Sequence, residues 1–488
     1  MKFARTNQRI PTVRLQLSLS LLAVLALAAC QTTQNTPAVE ITETPPIIAT
    51  PTDSVQPTAT PLADPTPIPE YLIPLEQLDG LQIQFWHPWT GDISKEIDLL
   101  VDQFNQTNEW GIHVILRKSG SSMALASEVD SAAASGDDLP QVVAAPSEQL
   151  LTWLERDQLI LPLDTLINDP QWGLSEQQRA EITLAFWLQD QSQDRQAGIP
   201  AQRNAQVIIY NQTWAKELGF DVPPQTAEEF RAQACAAAQA LLNDTNTSND
   251  GMGGWIMDTQ ALTIYSWLSS FGTNPIIQGD PIQFSFNQPQ AVQAFTFLRG
   301  MLDDGCAWNA RSQTPQEYFN NRQALYYSAG LLDLPVQVRM QFQSGSQDEW
   351  IVLPFPGDPR PTLVVSGNSY GILRSTPARE AAGWLFVRWM SSPENQARLL
   401  TFYGGLPISV SAASLATSAL HKIPQWASVI SWIPFAQPAP QAAGWRVAQH
   451  VLEDAAWQAM QSHIPIEQIP DILAELDATI SELLAREE

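Results

Sequence analysis

The chain has 488 residues, too many for one ordinary domain and enough to bury two sizeable cores. Hydrophobic residues make up 44% and charged residues 16%, the balance of a folded soluble protein, which excludes wholesale disorder. Fifty-one acidic against 25 basic side chains give a net charge of -26, which repels phosphate backbones and anionic lipid and argues against nucleic acid as a partner.

The chain opens with Lys2, Arg5, Arg9 and Arg14, then an apolar stretch from Leu15 to Ala26, then Leu27-Ala28-Ala29-Cys30. A cationic start, a short apolar run and small residues describe a secretory signal over 1–30, and the run is short for a transmembrane span. Leu-Ala-Ala-Cys resembles the bacterial lipobox, which implies that Cys30 becomes the lipidated first residue and that acyl chains hold the protein at a membrane face. An ordinary signal with a chance cysteine and an uncleaved helix are the alternatives. Residues 31–76 then carry ten prolines and ten threonines, and no lysine or arginine occurs between Arg14 and Lys95. Such a segment cannot offset its chain entropy by burial, so a disordered tether is expected.

From Leu81 the pattern changes. Leu81 to Trp86 alternates apolar and polar residues and reads as a strand; Ile97, Leu100, Val101 and Phe104 fall at helical spacing in Ser94 to Phe104. Ile112 to Leu116 reads as a second strand, Ala124 to Ala134 as a second helix and Gln141 to Ala145 as a third strand. Strands alternating with crossover helices predict a parallel sheet, whose ligands settle beyond the carboxyl ends of the strands. That rule points to Trp86, His87 and Trp89, to Ser121 within Ser119–Ser122, and to Glu148 after Pro146-Ser147. Further on, Thr226 with Glu229 predicts a capping box at the start of a helix carrying Phe230. Asn243 to Asp250 lacks the spacing and terminal glutamate of a calcium loop and reads as a surface turn. Ile469 to Leu484 reads as an amphipathic helix.

These residues resemble the family 1 extracellular solute-binding proteins, which include maltodextrin and other oligosaccharide receptors. The resemblance runs from about residue 81 to the C-terminus, in order. It is carried by Phe85-Trp86-His87, by Leu100 to Asn105, by Ala134 to Val143 with Gln141 where an aspartate is usual, and by Leu159 to Asp164. Gly198-Ile199-Pro200, Val207 to Asn211, Gly219 to Phe230, Ile351 to Pro356, Ala381 to Glu394 and Gly405-Leu406-Pro407 complete it. The family implies an α/β chain with the two-lobed, type II periplasmic-binding-protein-like fold, hinged between lobes. It places the first lobe at 77–204 plus 360–405 and the second at 205–359 plus 406–488, with crossings near Gln202 to Ala205, Gly357 to Pro361 and Gly404 to Pro407. It also implies an importer component that delivers a carbohydrate to ABC-transporter permease subunits, as a monomer at the outer face of the cell membrane or in the periplasm, with no cofactor and no metal. Cys235 and Cys306 then share a lobe, where they form one disulfide or remain two buried free thiols.

A sugar cleft needs aromatic faces for C–H surfaces and amides, hydroxyls or carboxylates for the hydroxyl rim. The candidates are Trp86, His87, Trp89, Ser121, Glu148, Arg203, Trp255, Ser328, Asn368 and Tyr370. Trp384 and Trp389 lie within a helical pattern with Phe386 and read as core. Two enzyme readings compete. Gly367-Asn368-Ser369-Tyr370-Gly371 satisfies G-x-S-x-G, yet Ile372-Leu373 continues extended where a nucleophile elbow needs a helix, and His421, His450 and His463 follow no such elbow. The second is a glycosidase carboxylate pair, for which the chain has 51 acidic residues to draw on. A lipoprotein serving a membrane sensor has the same fold as an importer's receptor.

Overall fold

In the computed structural model the described residues are 73–279, 282–311, 314–357, 360–420 and 422–487. The predicted signal, Cys30 and almost all of the tether lie outside them, as do Asp358, Pro359 and His421. Among the described residues no helix is long and apolar enough to cross a membrane.

Two sheets organise the chain. Strands β1 (Gln82–His87), β2 (His113–Lys118), β3 (Val142–Pro146) and β4 (Ile199–Pro200) come early; β5 (Asn204–Asn211), β6 (Gly253–Ile256), β7 (Ala307–Trp308) and β8 (Ala324–Gly330) follow, then β9 (Trp350–Leu353), β10 (Leu363–Ser366), β11 (Asn368–Ile372) and β12 (Ala436–Pro438). The first sheet has the order β2-β1-β3-β11-β4, with β1, β2 and β3 parallel and β11 antiparallel to both neighbours. The second has the order β7-β6-β8-β5-β10-β12, with β9 also paired to β5. The chain thus leaves the first sheet after β4, returns at β11 and leaves again before β12.

The helices that position the site are α1 (Gly91–Thr107), α2 (Ser122–Ser135), α3 (Ser147–Glu155), α4 (Glu176–Glu181), α5 (Leu184–Leu188), α6 (Ala227–Leu242), α7 (Ala261–Ser270), α8 (Pro289–Asp303), α9 (Pro377–Met390), α10 (Pro393–Tyr403), α11 (Trp445–Ala459) and α12 (Ile469–Glu487). The spacing of Ile97, Leu100, Val101 and Phe104 gives α1 one buried face, and Phe104 meets Phe386 of α9 edge-on at 5.1 Å. Strand alternation sends Phe85 to this α1–α9 side and Trp86 to the other, among Leu125, Val129 and Leu150 of α2 and α3. Ser121 caps α2 by accepting from the amide of Ala124, and Gly136 ends it in the left-handed conformation. The capping box of Thr226 and Glu229 starts α6. In the second sheet Tyr210 and Tyr326 stack at 5.0 Å beside Phe230, Trp255 and Trp267, and α12 buries Ile469, Ile472, Leu473, Leu476 and Ile480 in the same core.

One expected crossing is misplaced. Gly357 to Pro361 reads as a change of direction, but β10, which follows it, pairs with β5 and β12 in the second sheet. The chain crosses instead at Gly367, between β10 and β11. A side chain there is sterically excluded, because a Cβ would lie 2.1 Å from the carbonyl oxygen of Gln202 and φ is +151°.

Cys235 of α6 and Cys306, one residue before β7, are joined by a disulfide with a Cα–Cα distance of 4.3 Å, closing 71 residues of sequence. By the chain-entropy argument, the Cys235→Ser, Cys306→Ser variant should lose about 4.4 kcal/mol of stability in urea unfolding. Wild-type protein under reducing conditions should match it, and an unchanged midpoint in both would show that the bond adds nothing to the lobe.

Candidate functional site

Six of the ten site residues expected from sequence are buried, and each has a structural partner or a packing reason. Trp86 is held on the α2–α3 side by its indole N–H to Gln84 Oε1 at 2.9 Å, with the Arg117 guanidinium 4.1 Å above its ring. His87 is fully enclosed between Phe85 and Trp89, and neither ring nitrogen has a partner. Burial pushes its pKa down to about 4, helped by the positive charge of Lys118 and opposed by Asp98. Trp89 donates to Gln202 Oε1 at 2.9 Å, which ties the loop after β1 to the crossing segment. Trp255 lies mid-sheet against Phe230 and Trp267, and Tyr370 packs edge-on against Phe85 and Trp89, so both are core rather than lining. The expectation that these aromatics stand free at strand ends is corrected, because pairing and packing consume their faces.

Arg203 is corrected in the same way. It is fully buried, and its guanidinium pairs with Asp190 at 2.6 Å. Nη1 also donates to the carbonyls of Gln202 (3.1 Å) and Asn368 (2.9 Å), and Nη2 to that of Phe186 (2.9 Å). Asp190 accepts in addition from the hydroxyls of Ser147 (2.5 Å) and Ser369 (2.6 and 2.7 Å). The network joins the end of α5, the start of α3, the first crossing and β11. The third crossing is tied to it through the Leu406 amide, which donates to the Arg203 carbonyl at 2.8 Å. Ser369 therefore sits inside a strand with its hydroxyl committed to Asp190, which is not the geometry of a nucleophile elbow.

Four predicted residues are less deeply buried. Ser121 is exposed at the start of α2, and Glu148, Ser328 and Asn368 are half-buried. Burial in the first turn of α3 raises the Glu148 carboxyl above its ordinary range, with Asp190 adding to the rise and Arg203 opposing it. Ser328 lies in a cavity of about 310 Å³ at the carboxyl ends of β6, β7 and β8, with Gln206, Asp258, Gln260, Asn309 and Tyr327. Its hydroxyl has no partner. Gln206 donates to the hydroxyl of Thr263 (2.7 Å), which donates to Asp258, and burial raises the Asp258 carboxyl despite that bond.

Sequence reasoning missed Gln206, Asp258, Gln260 and Asn309. The strand-end rule could have found Asp258 and Asn309, since they stand two residues and one residue beyond β6 and β7. Asp190 carried no local signal. Among the described residues no group of histidine, cysteine or carboxylate side chains could hold a metal. The arrangement offers amides, a hydroxyl and a carboxylate at a sheet edge beside a hinge, which is chemistry for holding a polar solute.

Residues 100–426 match the family described as bacterial extracellular solute-binding protein. The sn-glycerol-3-phosphate-binding periplasmic protein UgpB of Salmonella typhimurium is 22% identical over 343 residues, 68% of this chain and 75% of that one; UgpB of Pectobacterium atrosepticum is 23% identical over 342 residues, covering 68% and 74%. The structure of the sugar-binding protein MalE from Xanthomonas citri is similar at a TM-score of 0.70 and 18% identity, covering 83% of this chain and 98% of that one. UgpB from Mycobacterium tuberculosis in complex with glycerophosphocholine gives 0.64 and 16%, covering 83% and 99%.

Asp190→Ala leaves the Arg203 charge buried and unpaired, so it should cost about 3–5 kcal/mol in urea unfolding at neutral pH, whereas a loss below about 1 kcal/mol would show the pair to be dispensable. The native pKa of His87 lies below the unfolded value of 6.5, so the unfolded chain takes up this proton first. Its contribution to stability is intact above pH 6.5 and lost as pH falls toward 4. His87→Phe should flatten the stability profile in that window, and an NMR titration placing His87 near 6.5 would refute the assignment.

Proposed function

Because the chain belongs to the bacterial extracellular solute-binding proteins, we propose that it captures a neutral carbohydrate, an oligosaccharide, between its two lobes and delivers it to the permease of an ABC importer, catalysing no reaction itself. The observation that carries the choice of ligand is the cavity at the carboxyl ends of β6, β7 and β8. Its lining of Gln206, Asp258, Gln260, Asn309, Ser328 and Asp333 contains no lysine, arginine or histidine. Glu148 adds a further carboxyl at the first sheet, and Arg203, the nearby cation, is spent on Asp190. Carboxylates and amides accept from and donate to sugar hydroxyls, while the carboxylates Asp258 and Asp333 disfavour a phosphate and no cation in the lining offsets them. The relatives named for binding sn-glycerol-3-phosphate therefore differ in ligand charge from the neutral solute proposed for this chain.

The proposed site joins Glu148, Asn368 and Ser121 from one lobe to Gln206, Asp258, Asn309 and Ser328 from the other. The lobes are proposed as 77–203 with 367–405, and 204–366 with 406–488, the middle boundary following β10. Acylation of Cys30, a tether over 31–76, an extracytoplasmic location and a monomeric state belong to the same proposal. They are supported by Leu27-Ala28-Ala29-Cys30 and by the family's exported character.

Neutral oligosaccharides should alter tryptophan emission and raise the melting temperature, by about 2.7 kcal/mol of added stability at a hundredfold excess over Kd. sn-Glycerol 3-phosphate should do neither, and Asp258→Ala should weaken the sugar about tenfold or more. Response to the phosphate with none to a broad neutral panel would overturn the ligand class. Mass spectrometry of the membrane-extracted protein should show an N-terminal diacylglyceryl-cysteine at position 30; an unmodified thiol there would remove the anchor.

A further inference from the structure

A cavity of about 550 Å³ lies on the α1–α9 side of the first sheet, between Glu109-Trp110 after α1, helix α4, strand β4 and the junction of α9 with α10. It shares no lining residue with the cavity proposed for the sugar, so the two sites are separate. Its volume falls in the range of small-molecule pockets.

Tryptophans 110, 172, 384 and 389 wall the cavity. Two of these planes are fixed: the Trp384 indole donates to the carbonyl of Trp172 at 2.8 Å, and Trp389 stands edge-on to Phe104 at 5.4 Å. Arg388, between them on α9, is half-buried and makes no salt bridge or hydrogen bond among the described residues, although Glu109 and Glu181 also line the space. Its partial burial disfavours the charged guanidinium, with only Asp169 opposing that effect. Two further polar groups are left over. Gln396 is 2% exposed; its amide nitrogen donates to the carbonyl of Met390 at 3.2 Å, while its Oε1 has no partner. The buried Ser391 hydroxyl has none either.

An unpaired planar cation calls for a carboxylate, which its fork can bind through two parallel bonds. Aromatic walls call for the flat face of a ring. A buried amide oxygen without a donor calls for a ligand hydroxyl. From these three requirements we propose that the cavity is a second binding site, for a hydroxylated ring bearing one carboxylate, of the sugar-acid class. Arg388 holds the carboxylate, the half-buried Trp110 and Trp389 face the ring, and Gln396 and Ser391 receive its hydroxyls. The neutral solute proposed for the cleft lacks the charge that this cavity selects, so the two sites take different ligands.

Isothermal titration of the full chain with glucuronate, glucose and benzoate tests this. Glucuronate should bind with saturation and weaken with added salt; glucose should give no Arg388-dependent binding, and benzoate, lacking hydroxyls, should bind about tenfold more weakly than glucuronate. Arg388→Met should raise the Kd for glucuronate about tenfold or more, with Arg388→Lys intermediate, while binding of a neutral oligosaccharide stays unchanged in both. Asp258→Ala should show the converse pattern. Because Arg388 is partly exposed its variants should melt close to wild type; if they do not, Trp110→Leu provides the test by loss of the ligand-induced change in emission. Absence of glucuronate binding at millimolar concentration, or binding that survives Arg388→Met and is lost in Asp258→Ala, would overturn the second site. Equal affinity for benzoate would overturn the hydroxylated class. Failure of the neutral panel alone would bear on the cleft and leave this site standing.

Discussion

The buried Asp190–Arg203 pair is the constraint around which the two lobes are arranged. Removing two charges from water is costly unless every lone pair and most donors find partners. Here the partners are carbonyls of Phe186, Gln202 and Asn368 and hydroxyls of Ser147 and Ser369, all drawn from segments that meet where the chain passes between sheets. Removing either charge would strand the other, and displacing any of these groups would leave a buried lone pair or donor unmet. The crossings are thereby fixed relative to one another, and rotation between lobes is left to the backbone on either side. Gly405 fits the same geometry, since a Cβ there would come within 2.3 Å of the Arg203 carbonyl oxygen.

That commitment also shapes the ligand chemistry. With Arg203 neutralised internally, the polar groups nearby are dominated by acceptors: Glu148 and Asp258, both with carboxyls raised by burial. A raised carboxyl is closer to neutral and better able to donate as well as accept, which suits hydroxyl-rich molecules. The net charge of -26 over the whole chain works in the same direction at long range, because it disfavours the approach of anions. The unpaired Arg388, half-buried among tryptophans, is the local exception.

Much of the architecture was legible because it rests on periodicity. Alternation in Gln82 to His87 and helical spacing in α1 placed the first βαβ unit within a few residues, and β2 ran longer than expected only because Arg117 and Lys118 continue the ladder opposite Trp86 and His87. The capping box at Thr226 is a three-residue signal and was equally readable. What failed depends on distant pairing. Gly-Asp-Pro at 357–359 carries the same turn chemistry as a hinge, while the real crossing at Gly367 is recognisable only from the approach of Gln202. Arg203 looked like a ligand contact because nothing local announces that Asp190, Ser147 and Ser369 converge on it. Trp255 stands among the candidate cleft aromatics, yet it is a strand residue of β6, and Gly253 and Gly254 before it pack against neighbouring backbone.

The link between Cys235 and Cys306 stays wholly within the second lobe, tying α6 to the approach to β7. A covalent staple across the hinge would have throttled the swing of the jaws; this one stiffens a single jaw and leaves its travel free. Oxidation of the two thiols therefore hardens one half of the fold without touching the segments that pass between the sheets.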